Sequence, residues 1–184
     1  MQRDLVQRAM AGDQDAFSEL ARVSIGRLYA AARLILRDDQ RAEDATQEAL
    51  VAAWRDLSAL RDPDRFDAWL HRLLVRACYR EARRGKRRWA LELEINEIDG
   101  IEPDRTLDIA DRDQLERGFR RLDPDQRTVI VLHYYLGLSL DEAADALGIP
   151  PGTVRSRLHR ATQAMRAALD PDTRPSTQTE RRLT

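Results

Sequence analysis

The stretch from residue 139 to 169 constrains the fold of this chain more than any other, because three helix-boundary signals stand in it at fixed offsets. Ser139, with Glu142 three residues later, forms a capping-box pattern that starts a helix. Gly148 can adopt the left-handed conformation that ends a helix, since glycine has no Cβ to clash. A Pro-Pro pair at 150–151 then starts the next helix. The pattern predicts two short helices joined by a tight turn, a helix-turn-helix.

The second predicted helix combines a buried face with a basic face. Its apolar residues recur at helical spacing, so the polar side chains between them fall on the opposite side. The apolar set is Val154, Leu158, Ala161 and Met165. An arginine on the polar side can meet two acceptors on guanine with its planar fork, and it can also neutralise phosphates. The candidate DNA-binding residues are Thr153, Arg155, Ser156, Arg157, His159 and Arg160. A simple helical hairpin with a solvated arginine face would explain these charges, but not the combined boundary signals.

Helical periodicity also runs through the first half of the chain, and strand-like alternation is absent. One or two helices are predicted within residues 5–36, another over 41–57, and another over 66–84. Pro63 and its flanking aspartates break the chain before the last of these helices. The expected core residues are Phe17, Leu20, Ile25, Leu28 and Leu36, then Ala45, Ala49 or Leu50, Ala53 and Leu57, and finally Phe66, Trp69, Leu70, Leu73 and Ala77.

The charges of the chain are distributed unevenly, although the formal net charge is only −1. Residues 65–88 hold nine basic and only two acidic side chains. The basic side chains repel one another unless a polyanion binds to them. Residues 91–125 hold twelve acidic and five basic side chains. Residues 153–166 hold four arginines and no acidic residue. Two basic blocks are therefore separated by an acidic one, and the distribution favours a nucleic-acid partner more than the net charge does.

We expect an all-α protein of two small helical domains joined by a flexible acidic linker, the C-terminal domain being the helix-turn-helix. The acidic stretch contains Gly100 and Pro103, which favour a linker over a helix. Asp123 can cap a helix of the second domain that begins at Pro124. The expected boundaries are 1–84 for the first domain, 85–108 for the linker, 109–170 for the second domain, and 171–184 for a disordered polar tail.

Several other classes of protein are disfavoured by the sequence. No apolar run approaches the roughly 18 residues that a membrane span needs, and no signal peptide is recognisable, so we expect a cytoplasmic protein. Cys78 cannot form an internal disulfide because it is the single cysteine, and with three scattered histidines it gives no metal-ligand spacing. A redox role for Cys78 is less favoured than a packed small side chain. We expect no cofactor, no metal and no catalytic residue.

Four segments together resemble one protein family, the extracytoplasmic-function (ECF, group 4) sigma factors of bacterial RNA polymerase. Residues 122–161 closely resemble the family's domain for the promoter −35 element. AGDQDAFSEL at 11–20 resembles its opening helix, and RAEDATQEALVAAW at 41–54 resembles the helix that docks on the polymerase. FDAWLHRLLVRACYREARR at 66–84 resembles the helix that melts the promoter and recognises the −10 element. The segments occur in the family's order, with the linker in the expected place.

This resemblance implies a non-enzymatic subunit that binds core RNA polymerase and selects promoter DNA for transcription initiation, and it implies an anti-sigma factor as a further partner. The implied polymerase-binding residues are Asp44, Gln47, Glu48, Val51 and Trp54, although Trp54 could equally be a core residue. The implied −10 residues are Arg65, Arg72, Arg76, Arg80, Arg83 and Arg84. The family often carries Asn and Asp where this chain has Arg76 and Arg80, so phosphate contact could replace base contact there.

Three rival functions remain open at this point. A stand-alone helix-turn-helix regulator would bind promoter DNA without polymerase, normally as a symmetric dimer. A protein-binding adaptor that mimics a sigma factor would not recognise bases, so replacing Arg155 or Arg160 would not change promoter choice. A nucleic-acid enzyme is the least favoured, because the sequence shows no carboxylate cluster, phosphate-binding glycine loop or nucleophile–base pair.

Overall fold

A computed structural model of the chain describes residues 2–91 and 109–169, and it places side chains over 2–84 and 115–169. Every regular element in these ranges is helical. The helices are α1 (Gln2–Met10), α2 (Gln14–Leu36), α3 (Asp39–Asp56), α4 (Phe66–Leu91), α5 (Ile109–Arg121), α6 (Pro124–Ile130), α7 (Leu140–Leu147) and α8 (Pro151–Leu169). Short 3₁₀ turns at Leu57–Ala59 and Pro63–Arg65 lie between α3 and α4, and a π-helical turn at Val131–Tyr135 continues α6.

Helices α1 to α4 form the first domain, in which α3 packs against both α2 and α4. Aspartates begin two of these helices: Asp13 accepts a hydrogen bond from the Ala16 amide at 3.0 Å, and Asp38 from the Arg41 amide at 2.9 Å. The predicted alanine face of α3 is confirmed, since its alanines at 42, 45, 49 and 53 are completely buried. Side chains this small allow the neighbouring helices to approach α3 closely.

Most of the expected core of the first domain is confirmed, but the expectation for Ile25 is wrong. Leu20 and Leu28 of α2 are buried, as are Phe66, Leu70, Leu73 and Ala77 of α4. Ile25 is 48% exposed, because it lines a groove between α2 and α3 that no described part of the chain covers.

Helices α5 to α8 form the second domain, and α8 packs against the other three. Asp123 and Gln126 form a reciprocal capping box at the start of α6, and Ser139 and Glu142 form another at the start of α7. Gly148 ends α7 with φ +66° and donates its amide hydrogen to the Ala144 carbonyl at 2.8 Å. Helix α8 begins at Pro151, so the predicted helix-turn-helix is confirmed.

The helix that precedes the predicted linker is longer than its sequence indicated. A linker was expected from Gly85, whereas α4 continues to Leu91. The basic residues at 86–88 therefore extend the helix, because lysine and arginine are good helix formers and Gly85 alone does not stop it. The rest of the predicted linker, 92–108, and the predicted disordered tail, 171–184, lie outside the described residues.

The two domains touch each other, a question that the sequence left open. Helix α7 packs on α4, while α2 contacts α6 and the π-helical turn. Arg27 of α2 donates hydrogen bonds to the carbonyls of Tyr135 and Leu136, at 3.2 and 3.1 Å. Arg127 of α6 donates from Nε to the Ile35 carbonyl at 2.9 Å. These are side-chain contacts to backbone carbonyls at the ends of helices, which otherwise lack partners.

Candidate DNA- and polymerase-binding surfaces

Helix α8 exposes a polar face because its apolar side chains hold it against the second domain. Val154 is 1% exposed and Ala161 is completely buried. Four of the predicted DNA-binding residues are exposed on the other side: Arg155, Ser156, His159 and Arg160. The Ser156 hydroxyl donates to the Thr153 carbonyl at 2.9 Å, so it is partly engaged within the helix itself. Arg160 also donates from Nε to the Ser156 carbonyl, at 3.4 Å. The exposed face therefore offers Arg155, His159 and the terminal nitrogens of Arg160 to a major groove.

Two predicted residues of α8 lie apart from that exposed face. Thr153 is half-buried near the start of the helix. The Arg157 side chain is 26% exposed, and its Nη2 lies 2.9 Å from Oδ2 of Asp125 on α6. The other oxygen of Asp125 accepts a hydrogen bond from the Tyr79 hydroxyl of α4 at 2.9 Å. One carboxylate therefore joins α8, the helix predicted to contact the −35 element, to α4, the helix predicted to contact the −10 element.

The arginines of α4 fall into two groups, one unpaired and one paired with acids. Arg76 and Arg83 are exposed and have no hydrogen bond or ion pair within the described residues. Arg80 lies with its Nε 2.9 Å from Oε1 of Glu48. Arg84 donates to the buried carboxylate of Glu81, which raises the pKa of Arg84. The paired arginines carry less free charge than a count of basic residues indicates.

The two remaining arginines of the predicted −10 set differ from these four. Arg72 is half-buried, and its Nε is fully buried without a partner. Arg65 is exposed in the turn before α4, with its Nε 3.9 Å from Asp62. The surface available to DNA on α4 therefore centres on Arg76 and Arg83, with Arg65 at one end.

An apolar groove of about 650 Å³ runs between α2 and α3. Three of the predicted polymerase-binding residues line it: Gln47, Val51 and Trp54. Val51 is 59% exposed and Trp54 is 42% exposed. The Trp54 ring packs against the Phe17 ring with their centroids 4.9 Å apart, so Trp54 forms a wall of the groove rather than part of the core. An exposed apolar groove of this kind is typical of a protein-binding site.

Asp44 and Glu48 do not line this groove. They lie one helical turn apart on the side of α3 that faces the arginines of α4, and both stabilise the charged form of Arg84. The structure therefore divides the predicted polymerase-binding set in two: an apolar part in the groove and an acidic part beside α4.

Comparisons with known proteins agree with this division into two domains. Residues 20–88 match the family model of Sigma-70 region 2, and residues 112–165 match that of Sigma-70 region 4. The ECF RNA polymerase sigma factor SigM of Mycobacterium tuberculosis is 34% identical over 160 residues, which span 86% of this chain and 79% of SigM. SigW of Bacillus subtilis is 30% identical over 176 residues, which span 89% of this chain and 94% of SigW. The chain belongs to the ECF sigma factors.

Solved sigma factors resemble this ECF sigma factor in fold as well as in sequence. CnrH, in complex with the cytosolic domain of CnrY, superimposes with a TM-score of 0.67 at 31% identity, over 94% of this chain and 99% of CnrH. RpoE of Bartonella quintana, in complex with the anti-sigma factor NepR, gives a TM-score of 0.73 at 25% identity, over 85% of this chain and 98% of RpoE. The all-α fold of two domains and the family predicted from the sequence are both confirmed.

The function of an ECF sigma factor follows from its family. The chain binds core RNA polymerase and directs it to promoters for transcription initiation. Sigma factors are initiation factors and are not known as enzymes. Among the described residues, no group of His, Cys, Asp and Glu could hold a metal ion, and no helix is long and apolar enough to cross a bilayer.

The sequence pattern of this ECF sigma factor did not predict the α2 wall of the groove. Phe17, Ile25 and Tyr29 form that wall, opposite Val51 and Trp54 of α3. The sequence of α2 does contain a signal for this wall, because the helix carries more apolar residues than one buried stripe can hold. The excess indicates a second apolar face, and such a face on a surface helix needs another partner.

Cys78 is a packed core residue of the ECF sigma factor, as the sequence favoured. Its side chain is 1% exposed, and burial raises the pKa of the thiol to about 12. A thiol with so high a pKa carries almost no thiolate at neutral pH and is therefore unreactive.

Proposed function

We propose that the three functions of this sigma factor lie on three separate surfaces: α8 for the −35 element, α4 for the −10 element, and the α2–α3 groove for the polymerase. The observation that carries the proposal is the orientation of α8. It exposes Arg155 and Arg160 while burying Val154, so a polar face is available to a major groove. The full −35 set is Thr153, Arg155, Ser156, Arg157, His159 and Arg160, with direct base contact assigned to the exposed members.

The −10 surface consists of the arginines on one side of α4, which contact phosphates of the opened strand. Unpaired Arg76 and Arg83 contribute most of the attraction, since their charge is not offset by a neighbouring acid. Arg65 extends this surface at the start of the helix. The set as a whole is Arg65, Arg72, Arg76, Arg80, Arg83 and Arg84.

The polymerase docks on the groove, where Val51 and Trp54 provide apolar contact area and Gln47 provides a polar rim. Exposed apolar and aromatic side chains of this kind carry most of the free energy of protein association. Asp44 and Glu48 lie outside the groove, on the side of α3 that faces α4, and they add an acidic part to the same docking surface. The domain limits that accompany these roles are 1–84, 109–170 and a linker at 85–108, with α4 extending into the linker.

An anti-sigma factor is a further partner of this protein, and the protein acts in the cytoplasm without catalytic activity of its own. Support comes from the solved relatives: CnrH is bound to the cytosolic domain of CnrY, and RpoE to an anti-sigma factor. The exposed groove gives such a partner an apolar surface to cover, in competition with the polymerase.

Reconstituted transcription on a library of promoter sequences tests the proposed function. Purified chain and core polymerase together should start transcription at a defined subset of promoters, whereas either one alone should not. Promoter binding by the chain alone, as a dimer and with full affinity, would instead indicate a stand-alone regulator.

The docking surface has a matched pair of variants. Val51 and Val23 are both exposed on the first domain, but only Val51 lines the groove. Val51→Asp places a charge in the groove and should weaken core-polymerase binding at least ten-fold, which is a loss of about 1.4 kcal/mol of binding free energy. Val23→Asp should leave that affinity unchanged. Equal affinities for the two variants in a fluorescence titration would contradict the assignment of the groove.

A further inference from the structure

Tyr79 lies on the side of α4 that carries the arginines proposed to contact the −10 strand. It comes three residues after Arg76 and four before Arg83 in the sequence. An α-helix turns about 100° per residue, so Tyr79 lies about 60° from Arg76 and about 40° from Arg83 around the helix axis. Residues at these spacings are neighbours on a helix surface. Tyr79 therefore borders two exposed arginines that have no ion pair within the described residues.

The Tyr79 side chain is half-buried, and its hydroxyl is bonded to the other domain. The hydroxyl donates to Oδ1 of Asp125 on α6 at 2.9 Å. Oδ2 of Asp125 pairs with Nη2 of Arg157 on α8, also at 2.9 Å. A promoter that holds α4 at one element and α8 at the other breaks this contact. The hydroxyl then loses its partner, and the ring becomes more accessible on the side of α4 that carries the arginines.

Proteins bind single-stranded nucleic acid with two kinds of group: basic side chains along the phosphates and aromatic rings on which bases stack. The arginines of α4 provide the first kind, and Tyr79 provides the second kind beside them. We infer that Tyr79 contacts the bases of the opened −10 strand: its hydroxyl is bonded to Asp125 in the free protein, and its ring stacks on a base once the two domains separate. The inference rests on the proposed role of α4 in binding that strand.

Two variants separate the ring from the hydroxyl. Tyr79→Leu removes both groups, whereas Tyr79→Phe removes only the hydroxyl, so a difference between the two variants reports the ring. The measurement is binding of the holoenzyme to fork-junction DNA, whose single strand carries a −10 sequence that the wild-type holoenzyme selected from a random pool. Tyr79→Leu should weaken this binding about five-fold or more, since a base stacked on an aromatic ring contributes at least that much. Tyr79→Phe should bind at least as tightly as wild type. Equal losses in the two variants would overturn the inference.

Arg76→Gln is the reference variant, because it removes an unpaired charge from the same surface. The slope of log affinity against log salt should fall by up to about 0.7 in Arg76→Gln, the value for one phosphate contact on a single strand. The slope should not change in Tyr79→Leu, since the ring carries no charge. A changed slope would mean that Tyr79 acts through the arginines, and it would overturn the inference.

The same variants distinguish failure of the inference from failure of the proposed function. Affinity for core polymerase is measured first, and all three variants should match wild type, because neither Tyr79 nor Arg76 lines the α2–α3 groove. Weaker fork binding by Arg76→Gln together with wild-type binding by Tyr79→Leu would overturn the inference and leave the proposed role of α4 intact. Wild-type fork binding by both variants would overturn both.

Photocrosslinking tests the contact in the wild-type holoenzyme, where no variant can disturb the fold. 5-Iodouracil, which crosslinks under irradiation to an aromatic ring stacked on it, replaces the base at each position of the single strand in turn. Mass spectrometry of the digested product should locate a crosslink at Tyr79 for one position or two adjacent positions. A complete scan without a crosslink at Tyr79 would overturn the inference.

Discussion

Individual arginines of α8 differ in their surroundings, although the sequence gives no reason to separate them. Arg155 and Arg160 project from the exposed face, whereas Arg157 pairs with Asp125. An arginine that makes two hydrogen bonds to a guanine favours that base over another by about 1–3 kcal/mol of binding free energy. The exposed pair is therefore suited to base contact, and Arg157 to holding α8 against α6.

Arg155→Ala and Arg160→Ala should each weaken recognition of the −35 element by about 1–3 kcal/mol. The measurement is run-off transcription by reconstituted holoenzyme on promoters that differ only at −35. Gln163→Ala, at another exposed position of α8, provides the control. Retention of full promoter preference by both arginine variants would exclude base contact by these residues.

His71 makes the stability of the protein depend on pH. It is buried on α4, its Nδ1 has no hydrogen-bond partner, and burial lowers its pKa from 6.5 to about 4. The nearby charges on Asp67 and Glu142 raise this pKa and that on Arg27 lowers it, but burial is the largest effect. Below pH 6.5 the unfolded chain binds a proton that the folded chain does not, so stability is lost as the pH falls toward 4.

Lowering the pH from 7 to 5 should therefore reduce the free energy of unfolding by up to about 2 kcal/mol through His71. Urea denaturation at the two pH values measures this difference. His71→Gln should show a correspondingly smaller difference, whatever its own stability at pH 7. An identical pH dependence in the variant would show that other groups are responsible.

At the scale of single helices, the turn between α7 and α8 depends on Gly148. Its φ of +66° is a left-handed conformation, which costs other residues roughly 1–2 kcal/mol. Gly148→Ala should destabilise the protein by about that amount in urea denaturation. Gly152→Ala is the matched control, because Gly152 lies in the first turn of α8 with open space around it. That change should be neutral or stabilising, by up to about 1 kcal/mol; similar losses for both variants would rule out the left-handed turn as the cause.

Features that depend on neighbouring residues in the sequence were predictable, and those that depend on distant residues were not. The capping box of Ser139 and Glu142 was predicted correctly because its partners lie three residues apart. Ile25 was placed wrongly in the core, because its spacing does not reveal whether another element covers it. The pairing of Glu48 with Arg80 joins two helices across the domain, and helical periodicity carries no information about such contacts.

At the scale of the whole molecule, the contact between the domains is incompatible with the proposed binding of α4 and α8 to one promoter at the same time. The −10 and −35 elements are about 25 base pairs apart, which is roughly 85 Å of B-form DNA. In the free protein, the Asp125 carboxylate accepts a hydrogen bond from the Tyr79 hydroxyl of α4 and forms an ion pair with Arg157 of α8, each at 2.9 Å. Helices held this close cannot occupy both elements, so the proposed roles of α4 and α8 require the domains to separate when the promoter is bound.

Energy transfer between dyes on the two domains tests this separation. Ser18→Cys on α2 and Gln163→Cys on α8 are exposed labelling positions, while buried Cys78 stays unlabelled because of its raised pKa. Transfer should be higher in the free protein than in the promoter-bound holoenzyme. The same transfer in both states would mean that the domain contact does not open.

The shared carboxylate of Asp125 also bears on how much of the protein a cell can hold. While this carboxylate joins α4 to α8, the free chain can present only one of its two proposed DNA-binding helices to a promoter at a time. Molecules in excess of the available polymerase would then hold promoters more weakly than the holoenzyme does, and surplus protein would compete less for the genes that it serves.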